Sequence, residues 1–569
     1  MDVAIAWTRH VLLAIERNDV PELEVLLGGV SSGDGGLLVA GSLAPINQPD
    51  DNGITPLVNA CFRGRSDCVR LLLAANAAID QTNRSGATPL HTACFEGNSE
   101  CVPLHAAFDQ PSGNGSTPLY FACSLGHSDC VRLLLAAHAA IDQPNSNGLT
   151  PLFIACNRGH GDCAQLLLAA HAAFDQPNSS NITPLYSACC NDHGVCVRLL
   201  LAANAAVDQT DSGGVTPLHA ACSHGHGDSV RLLLAAQAAV DQPDSGGDTP
   251  LQAACFKGHG DCVRLLLAAH ATVDLPDNDG ATPLHTACSH DNGNCVRLLL
   301  AANAAVDQSN SNSVAPLHIA CSLGSNSVRL LLAANAAFDQ PGRYGSTPLY
   351  VACMHGHGIC VEQLVAAKAA VDQPARNGAT PLYIACNLDH NDCVRLLLAA
   401  NAAVDHPISD GLTPLATACL KGHTECVKRL LRAGARTDQV IAGRTALGMA
   451  EDAGHRAIVR CFRDHRLASH RRASGAALGV SAEERAAAER DADLAATALL
   501  AELEAESAGK QQGQKKKASK KSKAMKGAGG AEQTQPSAAS DCAKAAAHTE
   551  AAQAAPLSAA AVAAASHTS

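Results

Sequence analysis

The chain has 569 residues, 17% of them charged and 3% aromatic, and a formal net charge of −12 at pH 7. That acidity argues against nucleic-acid binding by bulk charge, and no apolar run is long enough to span a bilayer. The 25 cysteines include no C-x-x-C pair, which argues against a disulfide or metal framework; as free thiols they point to a reducing compartment, the cytosol or the nucleus.

In chain order, residues 1–49 read as a divergent N-terminal capping repeat with an insertion. Ala14, Asn18-Asp19, Leu23 and Leu26-Leu27 supply its apolar positions, while Glu16, Arg17, Glu22 and Glu24 form the polar outer face that a cap needs. Arg9, His10, Glu16 and Arg17 interrupt Met1–Val20, so no secretory leader is expected. Trp7 is expected to cover the open end of the core. Residues 31–45, SSGDGGLLVAGSLAP, read as a flexible loop.

Residues 50–437 repeat one unit. A clean copy, Asp211–Pro243, reads DSGGVTPLHAACSHGHGDSVRLLLAAQAAVDQP. Its Thr-Pro recurs at Thr55, Thr88, Thr117, Thr150, Thr183, Thr216, Thr249, Thr282, Thr347, Thr380 and Thr413, with Ala315 replacing the threonine once. Most steps are 33 residues; the step from Thr88 to Thr117 is 29, and two later ones are 32. A fixed period in this range marks a solenoid, whose units bury their apolar faces on one another. Thr216 suits an N-cap and Pro217 the first helical position. Gly225-His226 ends the first helix. Val230 and Leu232-Leu233-Leu234 lie on the second, which should stop at a left-handed residue such as Asn76, Asn204 or Gln237. The turn that follows is rich in Asp, Gly, Pro and Ser. The recurrent cysteines, such as Cys222 and Cys262, read as small buried fillers. One Asp per unit, Asp80 through Asp405, is expected to cap its own turn, and Arg on the second helix to pair with Asp three residues earlier.

The unit resembles the ankyrin repeat through Gly214, Thr216-Pro217-Leu218-His219, Ala221, Gly225-His226, Val230 and Leu233-Leu234. The resemblance implies an all-α fold, an ankyrin-repeat α-solenoid with β-turn fingers, and a concave groove that binds other proteins. The short copy after Thr88 places Pro103 early in its second helix, which predicts a local kink.

Comparison among the copies selects candidate partner-binding residues. The second helix is nearly invariant, and variation gathers in the first helix and the finger. Four of the five tyrosines follow Thr-Pro-Leu: Tyr120, Tyr186, Tyr350 and Tyr383, with Phe153 equivalent. Just before the Gly-His loop stand Arg63, Phe95, Arg158, His224, Lys257 and His355; at finger tips stand Arg84, Arg343 and Tyr344. The resemblance places these positions along the groove, so this face is expected to lie outside the core, and aromatics and Arg are the side chains that most often anchor partners.

Residues 438–465, TALGMAEDAGHRAIVRCFRD at their heart, resemble a C-terminal capping repeat, with Arg456, Arg460 and Arg463 facing water. Residues 466–509 are a linker and an isolated Ala/Glu-rich helix over 481–505, opened by a Ser481/Glu484 capping box. Residues 510–569 read as a disordered tail, Lys-rich and then Ala/Ser-rich. Its Lys515, Lys516, Lys517, Lys520, Lys521 and Lys523 form a candidate import or nucleic-acid segment, the one part of the chain where nucleic acid is a candidate partner.

No Walker loop, G-x-S-x-G or H-E-x-x-H occurs. The recurrent G-H-x-x-C, as at His127 and Cys130, puts its histidine in a loop and its cysteine toward the core, so it is no metal site. The expectation is a monomeric, non-catalytic scaffold or adaptor for partner proteins, without metal or cofactor. Two rival readings are a nucleic-acid adaptor acting through the lysine run and a substrate-recruiting subunit of a ubiquitin ligase.

Overall fold

A computed structural model gives the conformation of residues 2–28, 46–50, 53–104 and 107–477. The expected loop at 31–45, the Ala/Glu-rich helix at 481–505 and the lysine run from Lys510 lie outside the described residues. Met1–Leu467 form one compact unit; of the second, Ala468–Ser569, only the end of one helix is described.

Each repeat starts as its sequence dictates. The Thr216 hydroxyl accepts the His219 N–H at 3.1 Å, and Pro217 occupies the first turn, where no N–H is required. The helix Pro217–His224 closes on Gly225 at φ 80°, in the left-handed region. The second helix, Gly227–Ala235, is followed by Gln237 at φ 62°. That site is Asn, His, Gln or Lys in ten copies and Gly434 in the last full one, all at positive φ. A finger then leads into the next threonine. Asp211 Oδ1 accepts the Gly213 and Val215 N–H groups and holds the finger turn.

First helices stack on first helices and second helices on second, giving two layers. Leu218, Ala221 and Cys222 of the first layer and Val230 and Leu233 of the second are fully buried, and the slots repeat from copy to copy. The cysteines from Cys61 to Cys426 are unlinked thiols with little or no exposure, and Cys461 of the last unit is half-buried. Burial pushes the Cys288 thiol up to about 12, so it stays protonated and packs as an apolar group.

Two sets of hydrogen bonds join successive repeats. The loop histidine reaches back: Nε2–H of His160, His193 and His226 donates to the Ser124, Asn157 and Cys190 carbonyls at 3.1, 3.0 and 3.0 Å. The Asn98 and Asn292 amides make the same contact, donating to the Phe62 and Phe256 carbonyls. The ladder aspartates reach forward. Asp142, Asp208 and Asp372 accept the N–H groups of Ala173, Ala239 and Ala403 at 2.8–2.9 Å. This corrects the expectation that each Asp caps its own turn. The residue three positions later, as in Asp211, already does so, which frees the ladder carboxylate for the next unit. The outer Arg–Asp pairs form as expected, for example Arg132 with Asp129 at 2.9 Å; on so exposed a surface they contribute about 0.5 kcal/mol or less each.

Ala315 tests the N-cap. It has no side-chain acceptor, and Nδ1 of buried His318 has no partner. In the equivalent His91 and His285 copies, the threonine hydroxyl lies 2.8 and 2.9 Å from Nδ1. Ala315→Thr is therefore expected to stabilise the array by about 1 kcal/mol, by restoring the cap. A urea midpoint unchanged or lowered by the substitution would refute this.

The ends and the short repeat depart from the pattern. Helices Asp2–Arg17 and Val20–Gly28 pack on the first and second helices of the next unit, with Trp7 half-buried against their core. In the short copy the second helix is reduced to a 3-10 segment, Ser99–Leu104, with Pro103 inside it. A short antiparallel pair, Val440–Ile441 with Arg444–Thr445, opens the last unit. Its second helix, Arg456–Ala477, runs past residue 465.

Candidate partner-binding face

The first helix of each unit is short enough that its faces can be read position by position. The residue after Thr-Pro-Leu is the third of the helix and points back over the N-cap. His91 Nδ1 accepts the Thr88 N–H at 3.1 Å, and its Nε2–H donates to Ser116 O of the next finger at 3.0 Å. Gln252 does the same with Thr249 and Ala281. The slot is thus closed by the following repeat. Phe153 and Tyr383 lie in it with 4% and 8% exposure, and Tyr120, Tyr186 and Tyr350 are half-buried. The expectation that this position lies outside the core is corrected: its side chains chiefly seal one repeat against the next.

Burial lowers the proton affinity of His91, His285 and His318 below the ordinary 6.5, the carbonyl contact opposing it. The stability that these neutral rings contribute is complete above the unfolded value, about 6.5, and is lost as pH falls through it toward the lower folded values. Asp248 acts in the opposite sense. Burial, then Asp244, Asp277 and Asp279, raise it to about 6, so its contribution is lost as pH rises through that value. The double variant His91→Gln, His285→Gln keeps the geometry seen at Gln252. Its urea midpoint is expected to fall less between pH 7.5 and 5.5 than that of the unaltered chain. Equal falls would show that the rings do not titrate the fold.

The exposed face lies one turn further along. Arg63, Phe95, Arg158, His224 and Lys257 are exposed and His355 is half-buried. Arg84, Arg343 and Tyr344 are exposed on fingers. Phe62, Phe95 and Phe256 keep 51, 48 and 40% of their surface. Phe95 meets Phe121 edge-on at 6.1 Å, and Phe121 also touches Tyr120 and His91. Lys257 lies 5.0 Å above the Phe256 ring, which packs on His290. Arg63 is paired with Glu16 at 2.7 Å. Three residues that the sequence reading passed over, Leu125, Leu323 and Leu388, stand on this face with 38–50% exposure. Their signal was present as helical register, since Leu323 and Leu388 follow half-buried Ile319 and Ile384 by four. Lys515, Lys516, Lys517, Lys520, Lys521 and Lys523 lie outside the described residues. Among the described residues, no group of three or more His, Cys, Asp or Glu could hold a metal ion, and no helix is long and apolar enough to cross a membrane.

Stacked helix pairs with projecting turns and a solvent-facing first-helix edge define a repeat-built interaction module. A sequence-family model described as ankyrin repeats (3 copies) matches the chain in overlapping segments from residue 12 to residue 473. The chain belongs to the ankyrin repeat family. Among solved structures, the crystal structure of the human ASB11 ankyrin repeat domain is similar, with 26% identity over 44% of this chain and 97% of that one, at a TM-score of 0.32. Comparison with curated proteins gives no significant match.

Proposed function

We propose that this chain is a non-catalytic scaffold or adaptor of the cytosol or nucleus, monomeric, that binds partner proteins along the face shared by first helices and fingers. One observation chiefly supports this. Within a single chain the second helices repeat nearly unchanged, while the exposed or half-buried residues after the first-helix cysteine change chemistry from copy to copy: Phe62-Arg63, Phe95-Glu96, Ser124-Leu125, Asn157-Arg158. Aromatic and Arg side chains held on a preformed surface bind with little ordering cost.

The test is capture from native lysate on the full chain and on its Phe62→Ser, Phe95→Ser variant, with circular dichroism confirming equal helicity. A specific protein recovered at least tenfold less on the variant is the expected result. Equal recovery on both chains, for every protein retained, would sink the role of this face.

A further inference from the structure

Along repeats nine to twelve, counted from Thr55 and opening at Ala315, Thr347, Thr380 and Thr413, the first-helix face gains aliphatic side chains. Ile319, Val351 and Ile384 are half-buried, and Leu323, Leu388 and Leu420 are 50, 41 and 47% exposed. Residues three and four apart share a helix face, so Ile319 with Leu323 and Ile384 with Leu388 form rungs, and adjacent first helices set the rungs side by side. At about 8–10 Å per helix, three helices carry this row over roughly 16–20 Å, and Leu420 stands one position off its line on the fourth.

Cations flank that row: Arg343 and Arg376 stand exposed on the fingers and Lys421 at a helix end, while half-buried His355, whose proton affinity burial and His357 lower, adds no charge at neutral pH. In the second-helix layer Arg70, Arg132, Arg231, Arg264, Arg395 and Lys428 each pair with a carboxylate three residues earlier, while Arg198, Arg297 and Arg329 have Val or Asn at that position. No ion pair forms at Arg343, Arg376 or Lys421 among the described residues; Arg343 donates to the Asn312 side-chain oxygen at 3.1 Å and lies 5.6 Å from the Tyr344 ring. Nearby carboxylates are mostly engaged: Asp339, Asp372 and Asp405 accept backbone N–H groups of the next unit, and Asp389 faces His423 at 3.7 Å. Exposed Asp410 is the exception.

We infer that repeats nine to twelve take an acidic segment of a partner protein bearing Leu- or Phe-sized side chains. The apolar groups cover the aliphatic row and the carboxylates meet Arg343, Arg376 and Lys421. The inference rests on the scaffold reading above and gives it a partner chemistry. It sets this sector apart from the fingers of repeats six to eight, where Asp211, Asp244, Asp248, Asp277 and Asp279 gather without a basic residue and would repel the same segment.

The test is selection of a displayed library of random 16-residue peptides on the full chain. Enriched peptides are expected to carry at least twice the library's Asp and Glu content together with Leu, Ile, Phe or Trp. As synthetic peptides they should bind at least tenfold more weakly to Leu323→Ser, Leu388→Ser and to Arg343→Glu, Arg376→Glu, and within twofold of normal to Phe62→Ser, Phe95→Ser. The charge-reversed variant alters only exposed finger residues, so it remains informative if the leucine variant misfolds. Basic or neutral winners, no winners, or binding indifferent to both C-terminal variants would overturn the inference. If one of those outcomes occurs while a lysate partner is still lost on Phe62→Ser, Phe95→Ser, this inference falls and the scaffold reading stands.

Discussion

Gly159→Ala is expected to destabilise the array by about 2–4 kcal/mol, whereas Gly454→Ala, at the same place in the last repeat, costs about 1 kcal/mol. Both glycines end a first-helix turn in the left-handed region, at φ 79° and 74°, so the backbone term is common to the pair. They differ in what lies beyond. A Cβ on Gly159 would sit 2.5 Å from Nδ1 and 2.7 Å from Cε1 of His193, the ring that ties the next repeat to the Asn157 carbonyl. On Gly454, the last copy, it would meet nothing within 4 Å. The added methyl must therefore displace the clamp histidine at one site and only strain φ at the other. Urea unfolding of the two variants reads the difference. Equal losses would mean that the histidine clamp gives way freely and adds nothing to the junction.

The same contrast explains what the sequence made legible. Thr216-Pro217, Gly225 and Gln237 act within a few residues of themselves, through a cap, a missing N–H or a positive φ, so the helix pair and its turn could be read from one copy. The period supplied the stacking. Tyr383 and Phe153 were misplaced because what buries them is the finger of the following unit, about 30 residues away in sequence. Asp208 was misassigned for the same reason, its acceptor serving Ala239 rather than its own turn. The capping-box spacing between Thr249 and Gln252 did carry a local hint that this helix position looks inward. Of the candidate face, the residues beside the Gly-His loop were readable as exposed, since they follow the buried Ala-Cys pair at the end of the first helix, and Phe62 and Phe256 keep 51 and 40% of their surface. The unpaired state of Arg343 and Arg376 was not readable, because pairing depends on which carboxylates the neighbouring repeats have already engaged.

The chain is further expected to unfold in two steps, with residues up to about 104 melting first. Buried side chains fall into two contiguous sets that meet at the short repeat. Val11 through Cys61, Cys68, Ala77, Ala93 and Cys101 form one; Leu90, Cys94 and Val102 begin the other. The first-helix layer stays continuous there, since Pro89–Glu96 packs on Pro118–Leu125. The second layer does not. Where other copies bury a leucine such as Leu134 at mid-helix, this copy has only the 3-10 segment containing Pro103. A linear array is as cooperative as its weakest junction, and a missing buried leucine with its helical turn is worth about 2–3 kcal/mol. Replacing Pro103-Leu104 with Arg-Leu-Leu-Leu-Ala-Ala restores the regular spacing. Hydrogen exchange on the unaltered chain should show the helices before residue 104 losing protection ahead of the rest, and the filled variant should bring the two blocks to a single, higher transition. A lone cooperative transition in the unaltered chain, with uniform protection on both sides of Pro103, would mean that the continuous first-helix layer alone carries the coupling. The second layer would then add shape to the surface without adding to cooperativity.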